Sequence, residues 1–124
     1  TGTILLIDDE KMILDVGCEL LEELGYTVLS ALSGQEALQI FQENSTKIDL
    51  VIMDMIMPGM SGGEAFDRLR NINQDIKVLL SSGYSLNGQA TQILRRGCDG
   101  FIQKPFNLNQ LAEKIGSIIG SAKG

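Results

Sequence analysis

Leu50-Val-Ile-Met-Asp54-Met-Ile-Met-Pro-Gly59 is the stretch of sequence that decides the fold. A run of apolar residues is followed at once by a carboxylate and then by a Pro-Gly turn. A continuous apolar run that ends in turn residues is typical of a strand covered on both faces of its sheet. Such strands belong to parallel sheets flanked by helices, and ligands bind beyond their carboxyl ends. The stretch therefore predicts a buried strand with Asp54 at its functional end.

Similar apolar runs recur along the chain and alternate with segments of helical spacing. The strands are predicted at Thr3–Ile7, Thr27–Ala31, Leu50–Met53, Ile76–Leu80 and Gly100–Ile102. Five strand-helix units predict an α/β fold: a single doubly wound (βα)5 domain with a five-stranded parallel sheet. The flavodoxin-like strand order 2-1-3-4-5 rests on analogy with folds of this class, since periodicity carries no information on order.

The helices are predicted from apolar stripes and capping residues. The first has a stripe of Ile13, Val16, Leu20 and Leu24 with Gly25 as its cap, and the last has Leu108, Leu111, Ala112, Ile115 and Ile119 after an Asn107 cap. Capping-box patterns at Ser33 and Ser61 predict the starts of the second and third helices. The fourth helix is the weakest prediction, at roughly residues 87–96 before Gly97.

Length and composition limit the kinds of protein that this chain can be. Its 124 residues are 44% hydrophobic, enough for one buried core and too few for a second domain. We expect residues 1–120 to form the domain and residues 121–124 to be a tail or the start of a linker. No apolar stretch reaches the roughly 18 residues of a membrane span, and none resembles a signal peptide. A cytoplasmic domain without membrane contact is expected, tethered to a membrane only through a longer parent chain.

Residue usage and charge exclude several chemistries. The chain has no histidine, which rules out Ser-His-Asp and Cys-His catalysis and histidine-ligated zinc. Its net charge is −6, and eleven of its sixteen acidic residues lie in residues 1–62, so nucleic acid binding by this domain is not expected. Cys18 and Cys98 form no CxxC motif, which favours free thiols.

Polar side chains follow four of the five predicted strands. They are Asp8, Asp9 and Glu10 after the first, Asp54 after the third, Ser81 and Ser82 after the fourth, and Lys104 after the fifth. Any one of these could be a turn, capping or solvated residue. Together they would meet at one edge of the sheet, where crowded carboxylates repel each other unless a cation neutralises them. An all-oxygen cluster suits Mg²⁺, for which Mn²⁺ can substitute.

The same groups are suited to phosphoryl transfer. Catalysis of that reaction consists mainly of positioning the transferred group and neutralising the charge on its oxygens. A carboxylate can itself be the nucleophile and form an aspartyl phosphate. Asp54 beside a cation, a lysine and a hydroxyl is therefore a candidate phosphoacceptor.

From Ile4 to about Ile119, the chain resembles the receiver (response-regulator) domains of two-component phosphorelay signalling. The resemblance is carried by the joint spacing of four motifs: Asp8-Asp9, Asp54 with Met57-Pro58-Gly59, Ser82-Gly83 and Lys104-Pro105-Phe106. It implies a signalling switch that takes its phosphoryl group from a histidine kinase or a histidine phosphotransfer domain. No catalysis is expected beyond self-phosphorylation from a donor and slow autodephosphorylation.

The resemblance also implies how the acidic residues are used. Asp54 would accept the phosphoryl group. Asp8, Asp9, Asp54 and the backbone carbonyl of Ile56 would hold Mg²⁺. Many relatives carry a polar residue where Ile56 stands, and we hypothesise that Ile56 and Tyr84 hinder the hydrolytic water and lengthen the phosphorylated lifetime.

Four further residues take their roles from the same resemblance. Ser82 and Lys104 would each bind a phosphoryl oxygen, with the lysine placed by a cis bond to Pro105. Phe101 would be the switch aromatic that turns inward as Ser82 moves. The altered surface would comprise the fourth helix, the fifth strand and the fifth helix, and an output partner or attached domain would contact it. Residues 81–85 and 101–106 also look like those of receivers in hybrid sensor histidine kinases.

Two alternatives stay open on the sequence. A haloacid-dehalogenase-like phosphatase also uses an aspartate nucleophile and Mg²⁺, but it carries the nucleophile in a DxD arrangement after the first strand. Here Asp8 and Asp9 are adjacent, and the candidate nucleophile follows the third strand. The second alternative is a pseudo-receiver that only mediates protein contacts, against which the complete acidic set argues. The sequence contains no glycine-rich phosphate-binding motif, so a nucleotide- or flavin-binding module of the same fold is not supported.

Overall fold

Five parallel strands form one sheet in the order β2-β1-β3-β4-β5, in a computed structural model that describes residues 2–83 and 88–120. The strands are β1 (Thr3–Ile7), β2 (Thr27–Ala31), β3 (Leu50–Asp54), β4 (Lys77–Ser82) and β5 (Gly100–Gln103). The helices are α1 (Lys11–Glu23), α2 (Gly34–Asn44), α3 (Gly62–Ile72), α4 (Gly88–Arg95) and α5 (Leu108–Ile115), followed by a π-helical turn (Gly116–Gly120). The predicted doubly wound fold and its strand order are confirmed.

The sheet separates two hydrophobic layers. Phe41, Phe66 and Ile93 bring α2, α3 and α4 against one face. Leu21 and Ile115 bring α1 and α5 against the other. Every residue of β3 is buried because helices cover both faces of that central strand. This explains the continuous apolar run that identified it.

The strands extend further into polar sequence than predicted. Asp54 is the last residue of β3 and pairs with Ser81, while β4 continues to Ser82, which pairs with Gln103 of β5. The predicted ends at Met53, Leu80 and Ile102 were therefore wrong. The hydrogen bonds of a parallel ladder join backbone groups, so pairing continues where the side chains become polar. Asp54 is consequently held by the sheet rather than by a loop.

The apolar stripe that predicted α1 faces the core only in part, because its members Leu20 and Leu24 are partly buried against the core layer. The buried residues of α1 are Leu14, Gly17 and Leu21. Val16, a member of the predicted stripe, is 56% exposed, and the neighbouring Met12 is 82% exposed. Both sets have helical spacing, so periodicity could not decide which of the two apolar arcs faces the core.

The predicted caps at Ser33, Ser61 and Asn107 are present, but the two predicted capping boxes, at Ser33 and Ser61, are only half formed. Ser33 and Ser61 each accept the backbone N–H of the glutamate three residues on. The glutamate of the first box accepts the N–H of Leu32 instead of that of Ser33. Asn107 forms a complete box with Gln110. The caps fix where α2, α3 and α5 begin at the carboxyl edge of the sheet.

No helix among the described residues is both long enough and apolar enough to cross a membrane. The tail predicted at residues 121–124 lies outside the described residues. The start predicted for α4 near residue 87 also lies outside them, and the described part of that helix runs over Gly88–Arg95.

Candidate functional site

A groove of about 820 Å³ opens at the carboxyl edge of the sheet, beside Asp54. Asp9 follows β1, Ser82 ends β4, and Lys104 follows β5. All three line the groove together with Asp54 at the end of β3. The structure therefore brings the side chains of four predicted strand ends to one place.

Three carboxylates form the acidic part of the site. Asp8, Asp9 and Asp54 each offer an oxygen, and these oxygens all lie within 4.8 Å of one another. Asp8 and Asp54 are buried, whereas Asp9 is exposed. The cluster contains neither sulfur nor nitrogen ligands, and one of its members faces solvent. This donor set fits a hard divalent cation such as Mg²⁺, which prefers carboxylate oxygens and retains several waters.

Lys104 is the cation closest to this cluster among the described residues. Its ammonium lies 2.7 Å from Oδ2 of Asp8 and 3.5 Å from Oδ2 of Asp54. Burial disfavours the charged lysine, but the hydrogen bond with Asp8 and the charge of Asp54 outweigh burial and raise the pKa of Lys104. The backbone N–H of Lys104 donates to the carbonyl of Ser82 at 2.7 Å, which ties the lysine to the end of β4. The Lys104–Pro105 peptide bond is cis, as expected.

Asp54 is held in a setting that opposes its own ionisation. The pKa of Asp54 is raised from 3.8 to about 6, chiefly by burial and to a smaller extent by the nearby charge of Asp8. The charge of Lys104 and a hydrogen bond from the backbone of Ile56 only partly offset these effects. An ionised Asp54 would therefore gain from a further positive charge in the groove.

The raised pKa predicts that Asp54→Asn stabilises the domain in the absence of metal. Between pH 3.8 and 6 the folded state binds more protons at Asp54 than the unfolded state, so the free energy of unfolding falls as pH rises through this window. Above that window the ionised carboxylate costs the fold roughly 1–3 kcal/mol, which asparagine removes. Urea unfolding followed by circular dichroism in EDTA should show this gain at pH 7.5 and its loss near pH 4.

The control for this prediction is Asp75→Asn, because Asp75 is exposed and precedes β4 at the opposite edge of the sheet. This substitution should leave the free energy of unfolding nearly unchanged at both pH values. Equal unfolding midpoints for wild type and Asp54→Asn at pH 7.5 would contradict the proposed cost of the Asp54 charge.

Ser81 and Ser82 are both buried, but they face different surroundings. The hydroxyl of Ser81 donates to the carbonyl of Met53 at 3.3 Å, within the sheet. Ser82 lines the groove beside Asp54, and Ser81 does not. Of the two serines, Ser82 is therefore the one beside Asp54, and its contact with a phosphoryl oxygen stays a prediction.

The other predicted residues surround the same edge. Ile56 is 52% exposed and lines the groove. Phe101 is partly buried, pairs with Leu80 across β4 and β5, and packs against the core layer that contains α4. Tyr84 lies outside the described residues, so its suggested part in slowing hydrolysis stays a prediction.

Comparison with known proteins identifies the family. The family model described as the response regulator receiver domain matches residues 4–116. The chain belongs to this family. Its length also matches that of a solved receiver domain from Clostridium thermocellum: the two are 35% identical, the alignment covers 99% of this chain and 98% of the other, and the TM-score is 0.93.

Two further relatives bear on this receiver domain. It is 38% identical to part of the sensor kinase CckA of Brucella abortus over 115 residues, which are 93% of this chain but only 12% of the kinase. It is 36% identical to the response regulator protein TrrA of Thermotoga maritima, solved in complex with Mg²⁺-BeF. That alignment covers 94% of this chain and 98% of TrrA, with a TM-score of 0.83.

The sequence did not indicate that the groove of this receiver domain continues along α1. Beyond the acidic cluster, the groove is lined by apolar residues of α1 and of the segment after β5: Met12, Ile13, Val16, Leu20 and Phe106. The sequence pattern that corresponds to this groove is a second row of apolar residues on α1, beside the row that is buried. It could not be distinguished from the core-facing arc before the orientation of the helix was known.

Proposed function

We propose that this receiver domain takes a phosphoryl group from a phosphohistidine partner onto Asp54 in the presence of Mg²⁺, and that the modification changes its α4-β5-α5 face. The observation that carries the proposal is the setting of Asp54. It ends a central strand, it shares a solvent-open groove with Lys104, and Asp8 and Asp9 each place an oxygen within 4.8 Å of one of its own.

In the proposed step, a carboxylate oxygen of Asp54 attacks the phosphorus of phosphohistidine. The new O–P bond forms as the P–N bond breaks, and the imidazole leaves with the bonding electron pair and takes up a proton. The product is an aspartyl phosphate and a neutral histidine on the donor. A buried, ionised Asp54 is poorly solvated, so less water has to be removed from the nucleophile than at an exposed carboxylate.

Asp8, Asp9, Asp54 and the backbone carbonyl of Ile56 would hold the cation. Its chemistry there is to neutralise charge on the carboxylates and on the phosphoryl oxygens. The structure of TrrA with Mg²⁺-BeF supports this assignment by similarity. Mn²⁺ has the same preference for oxygen ligands and is expected to substitute.

Lys104 and Ser82 are proposed to bind the remaining phosphoryl oxygens. Lys104 already forms an ion pair with Asp54, so an oxygen bound to Asp54 would remain within reach of the same ammonium. Ser82 lines the groove from β4. A lysine and a hydroxyl beside the group would stabilise charge spread over its oxygens.

Phe101 is proposed to transmit the effect of phosphorylation from the site to the surface of the domain. Ser82 ends β4, and Phe101 lies in β5, the strand paired with it. Movement of Ser82 toward the phosphoryl group would alter the packing space beside Phe101, whose ring already contacts the layer containing α4. Phenylalanine has no hydroxyl, so this switch would act through ring packing alone. The affected α4-β5-α5 face would contact an output partner or an attached domain.

The apolar continuation of the groove along α1 is proposed to bind the donor. Met12 and Val16 are largely exposed, and the groove that they line reaches Asp54 without interruption. A histidine carried on a helix lying against α1 could therefore present its phosphoryl group to Asp54. Exposed apolar residues next to a reactive group are typical of an interaction surface.

Charge indicates which kind of helix would fit. Glu19, Glu22 and Glu23 are exposed on the distal half of α1. Lys11, the one base of that helix, is already paired with Asp15 at 3.3 Å. A donor helix with an apolar stripe flanked by lysine or arginine would complement this surface and associate faster at low ionic strength.

This docking surface predicts that Val16→Asp slows transfer from a protein donor but leaves uptake from a small donor unchanged. With a phosphorylated histidine kinase that phosphorylates the wild-type domain, the second-order rate constant should fall about tenfold, as for loss of an interface anchor. Uptake from acetyl phosphate should stay within about twofold of wild type, because Val16 lies on α1, outside the carboxylate cluster and the residues proposed to bind the phosphoryl group.

Leu32→Asp is the matched control for this prediction. Leu32 is also an exposed apolar residue and would receive the same charge, but it does not line the groove. Transfer to this variant should match that to wild type. Equal slowing in both variants would show a general charge effect, and no slowing in Val16→Asp would place the donor elsewhere.

Uptake from a small phosphoryl donor tests the proposed function as a whole. Incubation with acetyl phosphate and Mg²⁺, read by intact mass, should add one phosphoryl group that is lost on standing. No added group would indicate a pseudo-receiver. Repeated turnover of p-nitrophenyl phosphate would instead support the haloacid-dehalogenase-like phosphatase.

The parent protein is proposed to be a hybrid sensor histidine kinase, with this receiver domain as one segment. The similarity to part of the sensor kinase CckA supports the proposal. The donor would then be a histidine of the same polypeptide or of a separate phosphotransfer domain.

A further inference from the structure

The connection between β3 and α3 is a loop whose two ends meet: the first residue of α3, Gly62, is hydrogen-bonded to Met55, the residue after Asp54. The N–H of Met55 donates to the carbonyl of Ser81 at 2.8 Å, which continues the ladder between β3 and β4. The carbonyl of Met55 accepts the N–H of Gly62, the first residue of α3, at 2.9 Å. Met55 is thus held between the sheet and the start of α3. Both neighbours of Met55 belong to the proposed site, Asp54 before it and Ile56 after it.

Gly62 is packed directly against this backbone. A Cβ atom at position 62 would lie 2.8 Å from the carbonyl oxygen of Met55, 2.9 Å from its Cα and 3.2 Å from the carbonyl oxygen of Asp54. Real Cβ atoms almost never show the first two distances, and the third is tighter than nine in ten real Cβ contacts. The opposing atoms belong to the main chain, so no side-chain rotation can relieve the overlap. Any larger residue must therefore move α3 or the backbone around Asp54.

We propose that Gly62 is a positioning residue for phosphoryl uptake. By allowing α3 to begin against Met55, it sets the place of the Asp54 carboxylate and of the Ile56 carbonyl relative to Asp8 and Asp9. The inference rests on the proposed function, and it adds a residue that contacts neither the phosphoryl group nor the cation. A shift of a few tenths of an ångström is enough to matter, since misplacing reacting groups by about 1 Å costs roughly a hundredfold in rate.

Gly63 provides a control within the same turn of helix. A Cβ atom at position 63 would lie 2.5 Å from Nη2 of Arg96, the far end of a flexible side chain. Arg96 is about half exposed and pairs with Asp67 at 3.0 Å, so it can swing outward. Gly62→Ala and Gly63→Ala make the same chemical change in adjacent residues of α3. Only the first is opposed by backbone.

The experiment compares wild type, Gly62→Ala and Gly63→Ala with three measurements. The first is the rate of uptake from acetyl phosphate at saturating Mg²⁺, which should fall about tenfold in Gly62→Ala alone. The second is the Mg²⁺ dissociation constant from calorimetry, expected to rise several-fold in that variant alone. The third is the set of amide chemical shifts in ¹H-¹⁵N spectra without metal. Asp54, Met55 and Ile56 should shift further in Gly62→Ala than in Gly63→Ala.

A general loss of stability is separated from misplacement in two ways. Ile115→Val removes a methylene from the opposite core layer and should leave the rate and the Mg²⁺ constant unchanged. Where Gly62→Ala is partly unfolded, trimethylamine N-oxide is added until its circular dichroism matches wild type. The refolded variant should keep the defect in rate. Recovery of the wild-type rate on refolding would overturn the positioning role.

The outcomes also separate this inference from the proposed function. Gly62→Ala with a rate and a Mg²⁺ constant within about twofold of wild type would overturn the role of Gly62 and leave phosphorylation of Asp54 intact. No uptake by wild type would overturn the proposed function. In that case the amide chemical shifts still test whether Gly62 sets the position of Asp54. Equal shifts of Asp54 in the two alanine variants would show that it does not.

Discussion

Replacing Asp54 with asparagine is expected to reduce phosphoryl uptake from acetyl phosphate to an undetectable level. The amide keeps the shape of the side chain, but its nitrogen and carbonyl oxygen are too weakly nucleophilic to displace acetate from phosphorus. Without a carboxylate at position 54, the proposed aspartyl phosphate cannot form. Intact mass after incubation with Mg²⁺ and acetyl phosphate should show one added phosphoryl group on wild type and none on the variant.

Two controls make this loss specific. Asp75→Asn alters an exposed acid at the opposite edge of the sheet and should be phosphorylated like wild type. Asp54→Asn itself should be at least as stable as wild type without metal, because burial raises the pKa of Asp54 and makes its charge unfavourable. A stable Asp54→Asn domain that still gains a phosphoryl group would place the acceptor elsewhere.

Removal of divalent cations is expected to stop phosphoryl uptake, and Asp9→Asn should reproduce most of that effect. The site already holds three carboxylates, each with an oxygen within 4.8 Å of the others: Asp8, Asp9 and Asp54. An incoming phosphoryl group adds further negative charge. Lys104 supplies a single positive charge. At limiting Mg²⁺ the rate in Asp9→Asn should fall about a hundredfold, comparable to the loss of one strong electrostatic contact in a transition state.

The rate in Asp9→Asn should recover partly as Mg²⁺ is increased, because weaker binding is overcome by mass action. Glu10→Gln is the control, since Glu10 lines the same groove but lies outside the carboxylate cluster. It should stay within about twofold of wild type. Full uptake by wild type in EDTA would show that the carboxylates do not act through a cation.

The fold could be predicted from the sequence because its main signals are local. Apolar runs such as Leu50–Met53 and capping residues such as Asn107 report on a few neighbouring positions, and each identified its element. The ends of the strands could not be predicted from the same signals. Pairing of Asp54 with Ser81 depends on the backbone of another strand, which side-chain polarity does not reveal.

The charged residues of the site could also be predicted from the sequence. The carboxyl ends of parallel strands meet at one edge, so Asp8, Asp54 and Lys104 could be grouped from their positions after strands. Two other features could not be found in this way. The groove along Val16 required the orientation of α1, and the close approach of Gly62 to Met55 required coordinates. Both depend on distances between elements that are not adjacent in sequence.

Chemical mapping of the phosphorylated residue tests the central claim most directly. An aspartyl phosphate is an acyl phosphate, which borohydride reduces to a homoserine residue that survives proteolysis and mass spectrometry. After phosphorylation of wild-type protein with Mg²⁺ and acetyl phosphate, borohydride should convert Asp54 alone to homoserine. Conversion at Asp8 or Asp9, or a stable phosphate ester on Ser82, would contradict the assignment of Asp54 as the phosphoacceptor.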